Sequence, residues 1–314
     1  MENRRILVIA GSDSSGGAGL EADQKVIAHH RCYAMTATTA LTAQNTLGAR
    51  PRNPPHPPSF LSACLTVTLT DIGTDVIKIG MLASAATVSV VAHHLSFPLP
   101  RPRIVLDPVM VATTGAQLLP NDAVRGLREE MLPLAEVVTP NLDEAGLLLR
   151  DAGIEVPRGQ GVDGMVEVAG LVQGLCGGGG VLLKGGHVPM KQEGEGGKGM
   201  VVVINVWHDG NRAVVYESDY VESRNTHGTG CSLASAIACQ MVCAPDVGVV
   251  EQIRRACEYV DGGIRTSVEW KLGGGSGGSG PINHFHDGGG EGRVRVREWP
   301  LEKGGGGEGE DDWR

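Results

Sequence analysis

The stretch with the clearest capacity for chemistry is residues 225–231, which read Asn-Thr-His-Gly-Thr-Gly-Cys. Apolar side chains recur at helical spacing in residues 232–242, so the pattern predicts that a helix begins directly after this stretch. A glycine-rich turn brings the backbone close to a ligand, and the first helical turn offers unpaired N–H groups and a partial positive charge. Such a turn suits a phosphate group. A plain turn and helix cap would explain the same residues, so the interpretation depends on the rest of the chain.

Residues that could contact a ligand follow five predicted strands, at the point where each strand ends. They are Gly11, Gly80, Asp107, Asn141 and Lys184. Because the carboxyl ends of parallel strands meet at one rim of an α/β sheet, and ligands bind there, we expect these residues to line a site. The alternative is that the strands simply end at turn residues.

Apolar runs alternate with amphipathic segments along most of the chain. The runs predict strands at residues 5–10, 33–40, 76–79, 103–106, 137–138, 181–183, 201–206 and 212–216. The amphipathic segments predict helices at residues 20–30, 60–70, 87–95, 121–132, 142–150, 165–176, 232–242 and 249–269. This alternation predicts a doubly wound α/β fold with a mostly parallel sheet.

Three segments fall outside the alternation. Prolines at 51–58 predict a surface excursion, because they exclude helix and central strand. Residues 191–199 are rich in Gly, Glu and Lys, which is typical of a mobile flap or hairpin tip. From residue 287 onward the chain is rich in Gly and charged residues and is predicted not to fold on its own.

Composition limits the kinds of protein this can be. The 314 residues are 41% hydrophobic but only 4% aromatic, so a large core must be built mainly from aliphatic side chains. A net charge of −9 argues against nucleic acid as the main partner, although backbone amides could still bind a small anion. No apolar run is long enough to span a membrane, and no signal-peptide pattern is present. Seven scattered cysteines favour reduced thiols, so we expect a cytoplasmic protein without a membrane partner.

Eight short motifs occur in a fixed order. They are Gly-Ser-Asp-Ser-Ser-Gly-Gly-Ala-Gly at 11–19, Ala-Gln-Asn-Thr at 43–46, Lys-Ile-Gly-Met-Leu at 78–82, Asp-Pro-Val-Met at 107–110, Thr-Pro-Asn-Leu-Asp-Glu at 139–144, Lys-Gly-Gly-His at 184–187, Asn-Thr-His-Gly-Thr-Gly-Cys at 225–231 and Gly-Pro-Ile-Asn-His at 280–284. With these motifs the chain resembles the hydroxymethylpyrimidine/phosphomethylpyrimidine kinases of thiamine biosynthesis, in the ribokinase-like superfamily. The resemblance implies a ribokinase-like three-layer α/β/α sandwich with a mostly parallel central sheet. It implies one kinase domain over residues 1–286 and a disordered tail over 287–314.

The resemblance also implies an activity and a set of site residues. The activity is ATP-dependent phosphorylation of 4-amino-5-hydroxymethyl-2-methylpyrimidine, followed by phosphorylation of the monophosphate. Substrate contacts are implied for Gly11, Asp23, Gln44, Met81 and Val109, with Asp23 and Gln44 hydrogen-bonding the pyrimidine edge. ATP contacts are implied for Asn141, Lys184, Thr226, Gly228, Thr229 and Gly230, and Mg²⁺ contacts for Asp107 and Glu144. Lys184, Gly228 and Gly230 would also stabilise the transferred phosphoryl group, and a homodimer is left open.

Cys231 carries the most specific mechanistic expectation. The resemblance places it where related sugar kinases have an aspartate base, and a thiol at a helix N-terminus has its thiolate favoured by the helix dipole. We therefore expect Cys231 to accept the hydroxymethyl proton in the first phosphorylation, whereas the second needs no strong base. The alternative is that Cys231 only packs against or caps the helix.

The chain departs from the family pattern at two places, and two other functions stay open. A Pro-rich segment occupies residues 49–58, where the family has a valine-rich one, and Ser232 stands where threonine is common. One rival function is a pyridoxal kinase of the same superfamily, against which Gln44 and Cys231 favour the pyrimidine branch. The other is a catalytically silent pyrimidine-binding protein, against which Lys184 and the predicted metal ligands argue.

Overall fold

A computed structural model of the chain describes residues 4–49, 56–96, 102–110, 119–159, 161–186, 190–193, 199–273, 277–287 and 293–301. Its strands are β1 (Arg5–Asp13), β2 (Tyr33–Thr42), β3 (Gln44–Asn45), β4 (Gly48–Ala49), β5 (Val76–Ile79), β6 (Arg103–Leu106), β7 (Val137–Val138), β8 (Gly180–Lys184), β9 (Met190–Glu193), β10 (Gly199–His208), β11 (Ala213–Asp219) and β12 (Arg295–Trp299). Its helices are α1 (Gly19–His29), α2 (Pro58–Val67), α3 (Ala85–Ser96), α4 (Asn121–Gly126), α5 (Leu142–Asp151), α6 (Gly161–Gln173), α7 (Thr229–Cys243) and α8 (Val249–Ser267).

One large sheet organises the molecule. Its strand order within the described residues is β12-β11-β10-β8-β7-β6-β5-β1-β2, and β9 pairs with β10. The six strands from β8 to β2 are parallel to one another, whereas β9, β10, β11 and β12 join through antiparallel pairs. The prediction of a mostly parallel sheet is therefore confirmed, with an antiparallel extension at one end.

Both faces of the sheet are covered by helices, because side chains of a strand alternate between the two faces. In β1, Leu7 and Ile9 pack into a core with α2 to α6, whereas Ile6 and Val8 pack into a second core with α1, α7 and α8. All four side chains are fully buried. This confirms the predicted three-layer α/β/α arrangement. No helix among the described residues combines the length and apolarity needed to cross a bilayer.

The prediction of a disordered tail from residue 287 is wrong for residues 295–299. These residues form β12, which pairs antiparallel with β11 from Glu217 to Ala213. Arg295 donates hydrogen bonds to the buried Glu217 carboxylate at 2.7 and 3.1 Å, and Val294 is 5% exposed. The folded domain thus extends beyond the predicted boundary at residue 286. Residues 288–292 and 302–314 lie outside the described part of the chain.

Two smaller expectations have mixed outcomes. Pro58 was expected in a non-helical loop, yet it is the first residue of α2, a position where proline is tolerated because its N–H would be unpaired anyway. The segment at 191–199 belongs to the hairpin of β9 and β10, whose tip at 194–198 is outside the described residues. Most of the Pro-rich segment, residues 51–55, also lies outside them.

Removing β12 should destabilise the fold, because the edge of β11 would be exposed and the burial of Val294 lost. We expect a chain that ends after residue 293 to lose at least about 2 kcal/mol of unfolding free energy, measured by urea denaturation. A chain that ends after residue 301 is the matched control and should unfold at the wild-type urea concentration. Equal midpoints for the two truncations would contradict a structural role for β12.

Candidate functional site

Of the five residues predicted to follow strand ends, Gly80, Asp107 and Asn141 do so, whereas Lys184 is the last residue of β8 and Gly11 lies inside β1, which continues to Asp13. Backbone hydrogen bonds continue the strand ladder past the ends, from Gly80 N to Ile9 O and from Asp107 N to Ile79 O. At the next strands, Lys184 N donates to Pro140 O, and Asn141 pairs with Lys184 in a parallel bridge. The carboxyl ends of β1, β5, β6, β7 and β8 therefore present their polar groups side by side.

A lysine and two carboxylates form the polar centre of this rim. Lys184 Nζ donates to Asp107 Oδ1 at 2.7 Å, and Thr139 Oγ1 donates to the same oxygen at 3.2 Å. Asp107 is 1% exposed and Glu144 is 2% exposed. Burial lowers the pKa of Lys184, but Asp107 and Glu144 outweigh it and raise that pKa, so the ammonium stays charged.

Glu144 has a second task, because it closes the start of α5. Its carboxylate accepts from Asn141 N at 2.9 Å, while Asn141 Oδ1 accepts from Glu144 N at 2.8 Å, which makes a capping box. Met110 N donates to the other carboxylate oxygen at 3.3 Å. Burial raises the pKa of Glu144 to about 7, with Lys184 opposing the rise. The carboxylate therefore lies fixed beside Asp107 and Lys184.

The N-terminus of α7 lies against this polar centre. Gly228 is the N-cap residue and has φ +80°, a left-handed conformation that glycine adopts without strain. A Cβ at Gly230 would lie 3.1 Å from Lys184 Nζ and 4.0 Å from Asp107 Oδ2. The glycine-rich loop, the lysine and the aspartate are thus neighbours, as a phosphate-binding site requires.

A second glycine-rich turn, residues 13–18, packs on this loop and is organised by Asp13. The Asp13 carboxylate accepts from the backbone N–H groups of Ser15, Gly17 and Ala18, at 2.8, 3.1 and 2.8 Å. His227 Nε2 lies 2.9 Å from Asp13 Oδ2. Burial raises the pKa of Asp13, but hydrogen bonds from His227 and Ser15 dominate and lower it to about 2. Asp13 and His227 were not singled out from sequence, although both lie in the quoted motifs.

Four of the five predicted substrate residues lie near this pair of loops or on the adjoining strand ends. The Gln44 side-chain amide lies 2.9 Å from His227 Nε2, so its orientation depends on that ring. A Cβ at Gly11 would collide with the Met81 methyl group, which places these two residues in contact. Val109 is half-buried just past β6. The structure therefore brings Gly11, Gln44 and Met81 to the same rim of the sheet as the glycine-rich loop at residues 225–231.

Asp23 is the exception, and its predicted contact with a pyrimidine edge is contradicted. Its carboxylate is fully buried and accepts both Lys78 Nζ bonds, at 2.8 and 2.9 Å, and one from Ser235 Oγ at 2.8 Å. The oxygens are thus already occupied by side chains of β5 and α7. Sequence reasoning recognised the motif that contains Lys78 but assigned this residue no role. A lysine in the middle of the apolar run Val76–Ile79 was the available signal.

Cys231 lies in the first turn of α7 as predicted, but the expected thiolate is not favoured. Burial raises the pKa of the Cys231 thiol to about 11, although Lys78 and a hydrogen bond from the Gly19 backbone act in the opposite direction. The helix N-terminus alone therefore does not outweigh the cost of burying the negative charge. At neutral pH the group is a thiol.

The last of the eight motifs, at residues 280–284, contacts α7. His284 Nε2 lies 3.1 Å from Ser232 Oγ, and Tyr259 donates to the His284 carbonyl at 2.9 Å. Burial lowers the pKa of His284 to about 4, so the ring is neutral. Of the remaining predicted ATP residues, Thr226 Oγ1 lies 3.2 Å from Ser279 Oγ, and Thr229 is the first residue of α7. No group of three potential metal ligands occurs within the described residues.

Comparison with known proteins agrees with this geometry. The sequence profile of the phosphomethylpyrimidine kinase family matches residues 13–282. The hydroxymethylpyrimidine/phosphomethylpyrimidine kinase of Rhizobium meliloti is 37% identical, over 89% of this chain and 96% of its own. The chloroplastic thiamine biosynthetic bifunctional enzyme TH1 of Arabidopsis thaliana is 36% identical, over 90% of this chain and 50% of its own. Several curated relatives are likewise matched over about half of their length.

The fold also matches solved structures. The pyridoxal kinase from Staphylococcus aureus in complex with AMP-PCP and pyridoxal superposes with a TM-score of 0.77 and 26% identity. The match covers 95% of this chain and 100% of the other. The sheet, its helices and the position of the rim therefore follow a known architecture.

Gly228 should not tolerate a side chain. Its positive φ disfavours other residues, and a Cβ there would collide with the Gly17 carbonyl. We expect Gly228→Ala to lower the unfolding free energy by about 2 kcal/mol or more in urea denaturation. Gly248→Ala is the matched control, since Gly248 is also an N-cap, has φ −62° and has open space around it. Its effect should stay below about 1 kcal/mol. Similar losses in both variants would refute the tight packing of the two loops.

Proposed function

Because the chain belongs to the phosphomethylpyrimidine kinase family, of the ribokinase-like fold, we propose that it phosphorylates 4-amino-5-hydroxymethyl-2-methylpyrimidine with ATP and then phosphorylates the monophosphate to the diphosphate. One observation carries the proposal. The start of α7 packs against Lys184 and Asp107, on the rim that also presents Gly11, Met81 and Gln44. A phosphate site and a site for a small flat ring thus adjoin.

The phosphate end is assigned to α7 and the residues around its start. The N–H groups of Gly228, Gly230 and Cys231 lie at the start of the helix and have no intrahelical acceptors, so we assign them to the transferred phosphoryl oxygens, whereas Thr229 N donates to Thr226 O at 3.4 Å. Lys184 adds a positive charge beside Gly230. Asn141 and Thr226 lie on the flanking loops, where they support the ATP phosphates. These groups act by positioning and charge stabilisation, which is most of what phosphoryl transfer requires.

The carboxylates present suit a magnesium ion that accompanies ATP. Mg²⁺ in such sites keeps several waters and needs only one or two carboxylates in addition to phosphate oxygens. Thr139 and Lys184 donate their hydrogen bonds to Asp107 Oδ1, and Oδ2 faces the start of α7. Glu144 is held beside it by backbone amides, so we assign it a contact through water. When bound, the ion would neutralise phosphate charge.

The pyrimidine end is assigned to Gln44, Gly11, Met81 and Val109. An aminopyrimidine edge offers one acceptor and one donor, and the Gln44 amide can match either. Met81 and the backbone of Gly11, which contacts it, supply an apolar, polarisable wall for the ring. Asp23 is excluded from this set, because its carboxylate is enclosed by Lys78 and Ser235.

Cys231 is the proposed acceptor of the hydroxymethyl proton. The alcohol oxygen forms a bond to the γ-phosphorus as its proton passes to Cys231 in its thiolate form, which is the minor form at neutral pH, and the bond to the ADP oxygen breaks. The thiol later returns the proton to water. In the second phosphorylation the attacking oxygen belongs to an ionised phosphate, so this proton transfer is not needed.

The thiols and one sheet edge support proposals about location and assembly. All seven cysteines are free thiols, which suits the reducing cytosol. β2 is the edge of the sheet and exposes Tyr33 and Leu41, at 61% and 51%, so we propose that a homodimer forms along this edge. Light scattering that gives a mass near 32.8 kDa at all concentrations would rule the dimer out.

A coupled ADP-release assay tests the proposed activity. We expect turnover with the pyrimidine alcohol and with its monophosphate. Pyridoxal is the matched competitor, because a pyridoxal kinase is similar to this fold over nearly the whole chain, and it should be the poorer substrate by at least about tenfold in kcat/KM. Faster turnover of pyridoxal would reassign the substrate. Tight pyrimidine binding with no ADP release would indicate a silent binding protein.

The pH dependence should separate the two phosphorylations. With a Cys231 pKa of about 11, the thiolate fraction rises about tenfold per pH unit between pH 7 and 9. Single-turnover rates for the alcohol should follow this rise, and rates for the monophosphate should stay within about twofold. Cys231→Ala should flatten the first profile and leave the second nearly unchanged. Equal loss of both steps in the folded variant would count against the base role.

A further inference from the structure

A buried charge cluster lies beneath the start of α7 and has no role in the chemistry described so far. It consists of Lys78 from β5, Asp23 from α1 and Ser235 from α7. The side chains of Lys78 and Asp23 are both 0% exposed. Burial raises the pKa of Asp23, and Asp23 together with Cys231 and Asp107 keeps the pKa of Lys78 above its ordinary value despite burial. The ammonium is therefore a permanent charge in the interior.

Helical spacing and the hydrogen bond from Ser235 to Asp23 bring this cluster within one helical turn of Cys231. Ser235 follows Cys231 by four residues on α7, so both side chains lie on the same face one turn apart. Asp23 follows Gly19 by four residues on α1, and the Gly19 backbone lowers the pKa of the Cys231 thiol. The two helix starts thus face each other in matching register. Lys78 Nζ reaches Asp23 between them, 2.8 and 2.9 Å from its two oxygens.

Stability alone gives no reason for this pair. A buried ion pair contributes little to folding, because the cost of desolvating both charges cancels most of their attraction, and apolar side chains of similar volume often serve as well. The position of the Lys78–Asp23 pair near Cys231 instead favours a role in the reaction. We propose that Lys78 is a positioning residue for phosphoryl transfer: its ammonium, paired with the Asp23 carboxylate that Ser235 holds, stabilises negative charge on the Cys231 sulfur.

The other charges around Cys231 oppose this effect or contribute less to it than Lys78 does. Asp23 and Asp107 both oppose a negative sulfur, and the two principal influences that favour it are Lys78 and the Gly19 backbone. Lys184, the other lysine of the rim, also favours a negative Cys231 sulfur, but it donates to Asp107 and is balanced by Asp107 and Glu144. Lys78 is therefore the cation that most strongly favours the thiolate form of Cys231.

The inference rests on the proposed function only for its catalytic meaning, and it can be measured without turnover. The probe is iodoacetamide, which reacts with the thiolate, and alkylation of Cys231 is followed by peptide-resolved mass spectrometry at pH 8.5. Lys78→Met should slow this alkylation about tenfold, because the cation is lost. Asp23→Asn should accelerate it about tenfold, because Lys78 then has the sulfur as its nearest remaining counter-charge.

Opposite signs are the decisive feature. Damage to packing would change both rates in the same direction, and that result, or a wild-type rate in Asp23→Asn, overturns the proposal. Asp23→Asn decides the question alone if Lys78→Met does not fold. Cys64 on α2 is the internal reference, and its alkylation rate should not change in either variant. Asp75→Asn breaks the Arg5–Asp75 pair on the opposite rim and should leave Cys231 unaffected.

A double variant links the charge pair to catalysis. Asp23→Leu with Lys78→Met replaces the pair by apolar side chains and should keep a cooperative fold. We expect it to lower kcat for the pyrimidine alcohol about tenfold or more while KM for ATP stays within about twofold. Wild-type kcat would show that the pair is only structural. If no kinase turnover is found but the alkylation rates move in opposite directions, the proposed function fails and the role of Lys78 stands.

Discussion

The ion pair between Lys184 and Asp107 is the interaction on which the rim of the sheet depends. Two carboxylates, Asp107 and Glu144, lie almost completely buried beside each other at the ends of adjacent elements. Without a cation such an arrangement would force one of them to take up a proton. The ammonium of Lys184, 2.7 Å from Asp107, makes the pair tolerable and at the same time places a positive charge next to Gly230. The charge that stabilises the rim is the charge that a phosphate would meet.

The glycines allow the loop before α7 to approach this positive charge closely. Gly228 takes a left-handed conformation against the Gly17 carbonyl, and Asp13 ties the turn that contains Gly17 to His227. Each of these contacts joins the first fifth of the chain to the loop before α7. The start of α7 consequently points at the strand ends, and the next side chain, Cys231, is half-buried among its neighbours. Burial of its thiol follows from the same packing that positions the backbone amides.

Much of the fold was predictable because period and composition agree along the chain. Buried parallel strands appear as short apolar runs, and the helices between them show helical spacing, so the α/β architecture and the strand-end residues could be read directly. β12 was missed because glycines and charges on both sides obscured a short alternation of Val294 and Val296 with arginines. A five-residue strand needs its neighbour β11 before it is stable, and that neighbour lies far away in the sequence.

Most residues of the site could be predicted from the sequence, but what their side chains face could not. Helical spacing tells which residues share a face, yet it does not tell whether that face meets a ligand or another helix, and so Asp23 was assigned to a pyrimidine when it pairs with Lys78. The state of Cys231 was also misjudged, because a helix N-terminus is visible in sequence and the desolvation of a thiol is not. Both differences have one origin. The depth of a side chain is set by contacts between distant segments.

A structure with a non-hydrolysable ATP analogue and the pyrimidine alcohol bound together would test the central claim most directly, which is that the start of α7 and Lys184 grip the phosphate passed to a ring lying on the same rim. The account predicts terminal phosphate oxygens about 2.7–3.2 Å from the N–H groups of residues 228–231, with the ring between Gln44 and Met81. A terminal phosphate bound away from α7, or a ring that does not share its cleft, would contradict it.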